Sequence, residues 1–234
     1  VDAFLKYDVF GGTKNTINVA KFLQGSEGTL AFTTEITLAL DKLPPAESIM
    51  VCTHFKSIHE SLQATVIAMK HNLYNCELMD KTILDCTKNN RDLAKNRFFL
   101  QGDPEAVLML EVAADTVLEA EVLARALIED LEKNKFGYHH PKVYGKDIAK
   151  VHYLRKAGLG ALGNMVGDHK AVACIEDTAV ALEDLPNYIE EFTEIMAKYQ
   201  QNAVYYAHAG AGELHLRPIL NLKKKADVVL FRKI

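Results

Sequence analysis

The chain has 234 residues, 49% of them hydrophobic and 25% charged, with a formal net charge of −4. That balance suits a folded protein with a sizeable core and excludes a disordered chain. Lys223-Lys224-Lys225 is the one lysine cluster and reads as a solvated loop, which argues against a nucleic-acid partner, and no apolar run approaches the roughly 18 residues of a spanning helix.

Residues 1–42 read as loop, short helix, loop and strand. Asn18 to Leu23 is a brief amphipathic piece, and Ala31 to Leu40, rich in Thr, Ile and Phe, favours a strand. Pro44-Pro45 then breaks the chain and marks a boundary. Beyond it, strands and helices alternate. Ser48 to Phe55 predicts a strand, and Ser57 with Glu60 opens a helix striped by Ile58, Leu62, Val66 and Met69. Leu73 to Met79 predicts a strand, Lys81 to Lys88 a short helix, and Ala106 to Val112 a strongly apolar strand. Thr116 and Glu119 form a second capping-box pair, with Val117, Leu118, Val122, Leu123, Ala126, Leu127 and Leu131 read as the buried face behind it. Tyr138 to Tyr144 reads as a strand, Asp147 to Leu162 as a helix and Val172 to Ile175 as a strand. Pro186 suits the first turn of a helix whose apolar face is Ile189, Phe192, Met196 and Tyr199. Ala203 to Ala207 and Leu214 to Arg217 are the final strands. The alternation predicts an α+β fold, one antiparallel or mixed sheet with helices on one face.

The chemistry concentrates in Tyr206-Ala207-His208-Ala209-Gly210-Ala211-Gly212-Glu213-Leu214-His215-Leu216-Arg217-Pro218. On one straight strand His208 and His215 would face opposite ways, because side chains alternate. The Gly-Ala-Gly centre can reverse the chain, so that both imidazoles face one divalent ion. Two neutral nitrogens suit zinc or manganese and still need a third ligand. The competing reading is a tight hairpin with two ordinary histidines. Arg217 adds a planar donor fork that fits a carboxylate. The loop from Gly25 to Gly28 is neither a Walker A motif nor Gly-x-Gly-x-x-Gly; it is a plain turn or a close approach to a pyrophosphate. Glu176 and Asp177 end an apolar strand, as a helix cap or a buried acid. His139-His140, beside Pro141, reads as an exposed turn. Cys52, Cys76, Cys86 and Cys174 form no Cys-x-x-Cys pair and read as reduced thiols of a cytoplasmic protein.

The His-x-Gly-x-Gly-x-x-His pattern from His208 to His215 resembles the signature of the FAD-linked oxidase C-terminal domain, the family of D-lactate, D-2-hydroxyglutarate and glycolate dehydrogenases. Gly25-Ser26-Glu27-Gly28-Thr29-Leu30 with Thr34-Glu35 resembles the end of that family's FAD-binding domain. Glu77-Leu78-Met79-Asp80 is similar to a motif opening a substrate-domain helix, and His152-Tyr153-Leu154-Arg155-Lys156-Ala157-Gly158 to its Leu-Arg helix. Ile175-Glu176-Asp177-Thr178-Ala179-Val180 and Leu185-Pro186 resemble the strand and helix before the histidine turn, in the form of a bacterial subgroup fused to an iron–sulfur domain.

The resemblance implies a ferredoxin-like α+β substrate domain over 43–234, preceded by the tail of an FAD-binding domain over 1–42. It implies FAD contacts from Gly25, Ser26 and Gly28, a metal at His208 and His215, and Arg155 on the substrate carboxylate ahead of Arg217. The expected reaction is oxidation of a small D-2-hydroxy acid by hydride transfer to FAD. An iron–sulfur domain or quinone would accept the electrons, and a homodimer is allowed. The expected location is cytoplasmic or peripheral to the inner membrane. The alternatives are a non-catalytic cap or assembly domain of a larger redox protein, and a metal-free flavin oxidase of an alditol or aromatic alcohol. Two departures bear on substrate: Ala211 and Glu213 stand where the common form has Asp and Asn, and Ile175 replaces a lysine. No initiator Met and no Glu-His pair after His215 are present, so the sequence reads as a fragment lacking a third metal ligand, a catalytic base and most of the flavin domain.

Overall fold

The computed structural model describes residues 19–40 and 42–234. The chain divides into two units, Val1–Pro44 and Pro45–Ile234. In the first, helix α1 (Val19–Leu23) is followed by a turn in which Thr29 N and Oγ1 both donate to Ser26 O. The loop expected ahead of Asn18 lies outside the described residues. The strand expected over Ala31 to Leu40 does not form: these residues are irregular, with Phe32, Ile36, Leu38 and Leu40 exposed. Alternating apolar residues favour a strand only where a neighbouring strand takes up the backbone N–H and C=O groups, and none of the described residues does so here.

The second unit begins with β1 (Glu47–Phe55), α2 (Ile58–Ala68), β2 (Asn75–Asp80), α3 (Lys81–Lys88), α4 (Arg91–Ala94), β3 (Ala106–Ala114), α5 (Val117–Lys133) and β4 (Lys142–Tyr144). These strands lie in the order β4-β1-β3-β2, all antiparallel, which is the ferredoxin-like arrangement. The chain continues through α6 (Lys146–Ala161), β5 (Lys170–Ala171), β6 (Ile175–Ala179), α7 (Leu185–Lys198), β7 (Ala203–His208), β8 (Glu213–Leu220) and α8 (Lys225–Lys233). Strand β7 pairs with β2, and β8 pairs with β7 on one side and with β5 and β6 on the other.

Alternation along the strands sorts the core into two layers. Ile49, Val51, Leu108 and Leu110 meet Leu62 of α2, Leu127 of α5 and Ile189 of α7. Met50, Cys52, Val107 and Met109 meet Ile83 of α3 and Val151 and Leu154 of α6. The ferredoxin-like helices α2 and α5 therefore share one face, and α3, α4 and α6 cover the other, so helices lie on both faces where one was expected. This double cover is why β3 reads as a nearly unbroken apolar run.

The caps act as the sequence predicts. Ser57 accepts from Glu60 N, and Thr116 and Glu119 close a full capping box. Asp80 caps α3 through Ile83 N and also accepts from Tyr205 N, tying β2 to β7. The buried face of α5 is narrower than expected. Ala120, Ala124, Leu127 and Leu131 are buried, whereas Val117, Leu118, Val122, Leu123 and Ala126 are exposed, Leu118 by 77%. A helix presents only one stripe to a flat sheet, and an i, i+4 apolar ladder can belong to either side. The strand expected over Tyr138 to Tyr144 shortens to β4, and the one expected to end at Ile175 instead starts there as β6. His140 is partly buried, its Nδ1 3.1 Å from Thr53 Oγ1. Among the described residues no helix is long and apolar enough to cross a membrane.

Candidate functional site

The two histidines come together because β7 and β8 form a hairpin. Residues 209–211 make one 3-10 turn, and Gly212 closes it at φ 70°. A Cβ on Gly212 would stand 2.1 Å from the Val180 carbonyl oxygen, so this position admits no side chain. Tyr206 pairs with His215 and His208 with Glu213. By alternation, Tyr206, His208, Glu213, His215 and Arg217 share one face, while Ala207, Leu214 and Leu216 enter the core on the other. The rings of His208 and His215 lie 5.6 Å apart, edge to face. One ligand atom from each of His208, Glu213 and His215 falls within a 4.8 Å cluster. Beside them is a cavity of about 460 Å³ lined by Met69, Asn75, Cys76, Glu77, His208 and Glu213.

Each imidazole also meets a carboxylate that an arginine holds. Leu78 pairs with Ala207, which sets Glu77 of β2 beside His208. His208 Nδ1 lies 3.1 Å from Glu77 Oε1 in a hydrogen bond. Arg155 of α6 reaches Glu77 Oε2 at 2.5 Å, donates from Nη2 to Ala207 O at 3.1 Å, and stacks its guanidinium 4.1 Å from the Tyr206 ring centroid. Arg155 Nε is buried without a hydrogen-bond partner. One turn earlier on α6, His152 pairs with the buried Glu111, whose carboxyl is held low despite a burial cost that acts to raise it, because His152 and Ser48 hydrogen-bond its charged form.

On the other side, β6 bulges. Ile175 pairs with Leu216 and Thr178 with Leu214, so Glu176 and Asp177 together oppose His215. Asp177 takes the left-handed conformation at φ 54°. His215 Nδ1 is 2.8 Å from Glu176 Oε2 and 3.3 Å from Asp177 Oδ1. Arg217 grips Glu176 by Nε at 2.7 Å and by Nη2 at 3.2 Å. The short His215–Glu176 and Arg217 Nε contacts lack hydrogen-bond alignment, whereas Arg217 Nη2 donates to Glu176 Oε2. Asp177 is neither a helix cap nor a buried acid: it sits within β6 with its side chain 73% exposed. A bulge of this kind leaves no mark in the hydrophobic pattern.

Arg155, Arg217, His208 and His215 thus gather on one face, but both arginines already have carboxylate partners. Gly25, Ser26 and Gly28 belong to the Val1–Pro44 unit and form an exposed or half-exposed turn with Gly25 at φ 72° and Gly28 at φ 77°. Glu77 joins the site through the β2–β7 register, and its signal in the sequence is an acid in the otherwise apolar run Cys76-Glu77-Leu78-Met79.

Residues 26–234 match the family model described as "FAD linked oxidases, C-terminal domain". A D-2-hydroxyglutarate dehydrogenase of Haemophilus influenzae is 29% identical over 97% of this chain and 23% of its own length. The Escherichia coli D-2-hydroxyglutarate dehydrogenase is 25% identical over 97% of this chain and 23% of its length. Glycolate oxidase subunit GlcD of Bacillus subtilis is 24% identical over 90% of this chain and 43% of its length. The chain therefore spans about a quarter of the D-2-hydroxyglutarate dehydrogenases it matches. Among solved structures, an alkyldihydroxyacetonephosphate synthase shares the fold at a TM-score of 0.57 and 14% identity, over 95% of this chain and 45% of that one.

Proposed function

Because the chain belongs to the family of FAD-linked oxidase C-terminal domains, we propose that it forms the substrate-facing part of a flavin-dependent dehydrogenase that oxidises a small D-2-hydroxy acid. The relatives' names support this reading. The observation that carries the site assignment is the shared face of His208, Glu213 and His215 beside a cavity, flanked by two arginines.

The donor set fits a divalent ion such as zinc or manganese. With Nδ1 of His208 donating to Glu77, its Nε2 lone pair is the free one. Glu213 offers the oxygen needed beside two imidazoles. Formal charge agrees: among the described residues, Glu77, Glu176, Asp177 and Glu213 are set against Arg155 and Arg217, an excess of two negative charges that a divalent ion would balance. Without that balance the cluster repels an anionic substrate. When bound, such an ion supplies Lewis acidity that lowers the pKa of the substrate hydroxyl.

Arg155 orients the substrate carboxylate in this reading. A guanidinium carries five N–H donors, and the contacts with Glu77 and Ala207 O use only some of them. Arg217 is the second cation, gripped more fully by Glu176. FAD, when bound, supplies the hydride acceptor. Gly25 and Gly28 take positive φ in an exposed turn with Ser26, and these three residues would be the ones to meet the FAD pyrophosphate. An iron–sulfur domain or a quinone would accept the electrons.

The test is turnover of D-2-hydroxyglutarate, D-lactate and glycolate by the full-length protein, with metal content by elemental analysis. His208→Ala and His215→Ala should each remove metal and turnover, and the double variant should cost little more than either one. Normal metal content and turnover in either single variant would sink the metal reading.

A further inference from the structure

Glu77 stands between the two parts of the proposed site. It is 9% exposed, on the central strand β2, with an arginine on one side and a histidine on the other. A buried carboxylate beside one arginine needs no further explanation than charge balance. The hydrogen bond to His208 Nδ1 does, because it fixes which nitrogen carries the proton. Arg155 meanwhile forms an ion pair with Oε2, without hydrogen-bond alignment, and His208 Nδ1 lies 3.0 Å from that same oxygen while hydrogen-bonding to Oε1, so the guanidinium charge and the imidazole meet on one carboxylate. The same Arg155 donates to the carbonyl of Ala207, the residue before His208, so side chain and backbone of the hairpin edge are set by one guanidinium.

We propose that Glu77 is a positioning residue that couples Arg155 to His208: it holds the imidazole in the Nδ1–H tautomer, presents Nε2 to the ion, and makes the position of Arg155 depend on the same carboxylate. The inference rests on the proposed dehydrogenase site and adds the group that joins its two halves. Glu176 stands similarly between Arg217 and His215, but His215 Nδ1 lacks hydrogen-bond alignment, so the assignment is confined to Glu77.

The coupling makes two readouts move together, one of which needs no ion. Glu77→Gln keeps the shape and one acceptor oxygen but removes the charge that holds both partners. In the metal-free full-length protein, imidazole nitrogen NMR should show His208 as a single Nδ1–H tautomer, and Glu77→Gln should convert it to a mixture while His215 is unchanged. Manganese(II) titration followed by electron paramagnetic resonance should then show affinity weakened about 10- to 100-fold, the usual cost of losing a carboxylate behind a ligating histidine. Glu77→Asp, which retains charge but is one methylene shorter, should recover part of the affinity and secures the test if the glutamine variant does not fold. A His208 tautomer and a manganese affinity both unchanged in Glu77→Gln would overturn the proposal and reduce Glu77 to a charge partner of Arg155. If His208→Ala also leaves manganese binding untouched, the metal reading fails, while the metal-free spectrum still decides whether Glu77 sets the tautomer.

Discussion

His54 offers a measurement of how tightly the ferredoxin-like core is closed. It is fully buried, its Nδ1 lies 2.8 Å from Cys52 O, and its Nε2 accepts from Gln101 N at 3.2 Å. Protonating Nε2 would set two N–H donors against each other in a dry site. Burial, with smaller contributions from His139 and His140, pulls its pKa from 6.5 down to about 4. The folded state therefore binds fewer protons than the unfolded state between those values. Its contribution to stability is present above 6.5 and is lost as pH falls towards 4, amounting to about 3 kcal/mol. His54→Leu removes the titration and leaves the Gln101 N–H and Cys52 C=O unpaired, costing about 1–3 kcal/mol per group at neutral pH. The cost of the substitution should shrink by about 3 kcal/mol between pH 7 and pH 4, because only the wild type still pays to keep this imidazole neutral. Urea unfolding of both proteins across that range reads the difference directly, since all other titrating groups are common to both. A difference in stability that stays constant with pH would refute the assignment of His54 as a buried neutral imidazole.

Asp80 should behave in the opposite sense. Burial raises its carboxyl from 3.8 to about 7 against the opposing hydrogen bonds from Ile83 and Tyr205, so its contribution is greatest below 3.8 and is lost as pH rises through 7. Asp80→Asn should accordingly gain on the wild type as pH rises over that window, in the same urea experiment; the reverse slope would show the carboxylate to be favoured by its N–H donors. Gly212→Ala forces a Cβ against the Val180 carbonyl at a positive φ and should cost more than about 1 kcal/mol, with loss of metal binding and turnover beyond the loss of stability; wild-type melting would refute the close approach. Arg155→Lys should raise KM for 2-hydroxy acids and lower kcat/KM, a charge-assisted bond being worth about 1.5–3 kcal/mol; unchanged kcat/KM across several acids would remove Arg155 from substrate binding.

Local chemistry was legible from the residues alone. Ser57 and Thr116 with Glu119 mark helix starts because a cap is satisfied within one turn, and Pro186 marks one because its fixed φ and missing N–H suit the first turn. The reversal at residues 209–212 was legible too, since small residues there let the chain turn and bring His208 and His215 to one side. Other features required the packed molecule. The sequence of α5 carries apolar residues on two sides, and only its contact with β1 and β3 selects Ala120, Ala124, Leu127 and Leu131 as the buried stripe. Ala31 to Leu40 has the alternation of a strand, yet pairing depends on a neighbour that no local pattern supplies. The site divides in the same way. Its histidines and arginines could be nominated from residue type, but Glu77 reaches His208 only through the β2–β7 register, and Glu176 and Asp177 face His215 together only because β6 bulges. Register and bulges are set by the sum of contacts across a sheet, between residues more than a hundred positions apart in the case of Glu77 and His208. The sequence therefore determined which groups are available for chemistry, and the tertiary structure decided which carboxylate stands behind each imidazole.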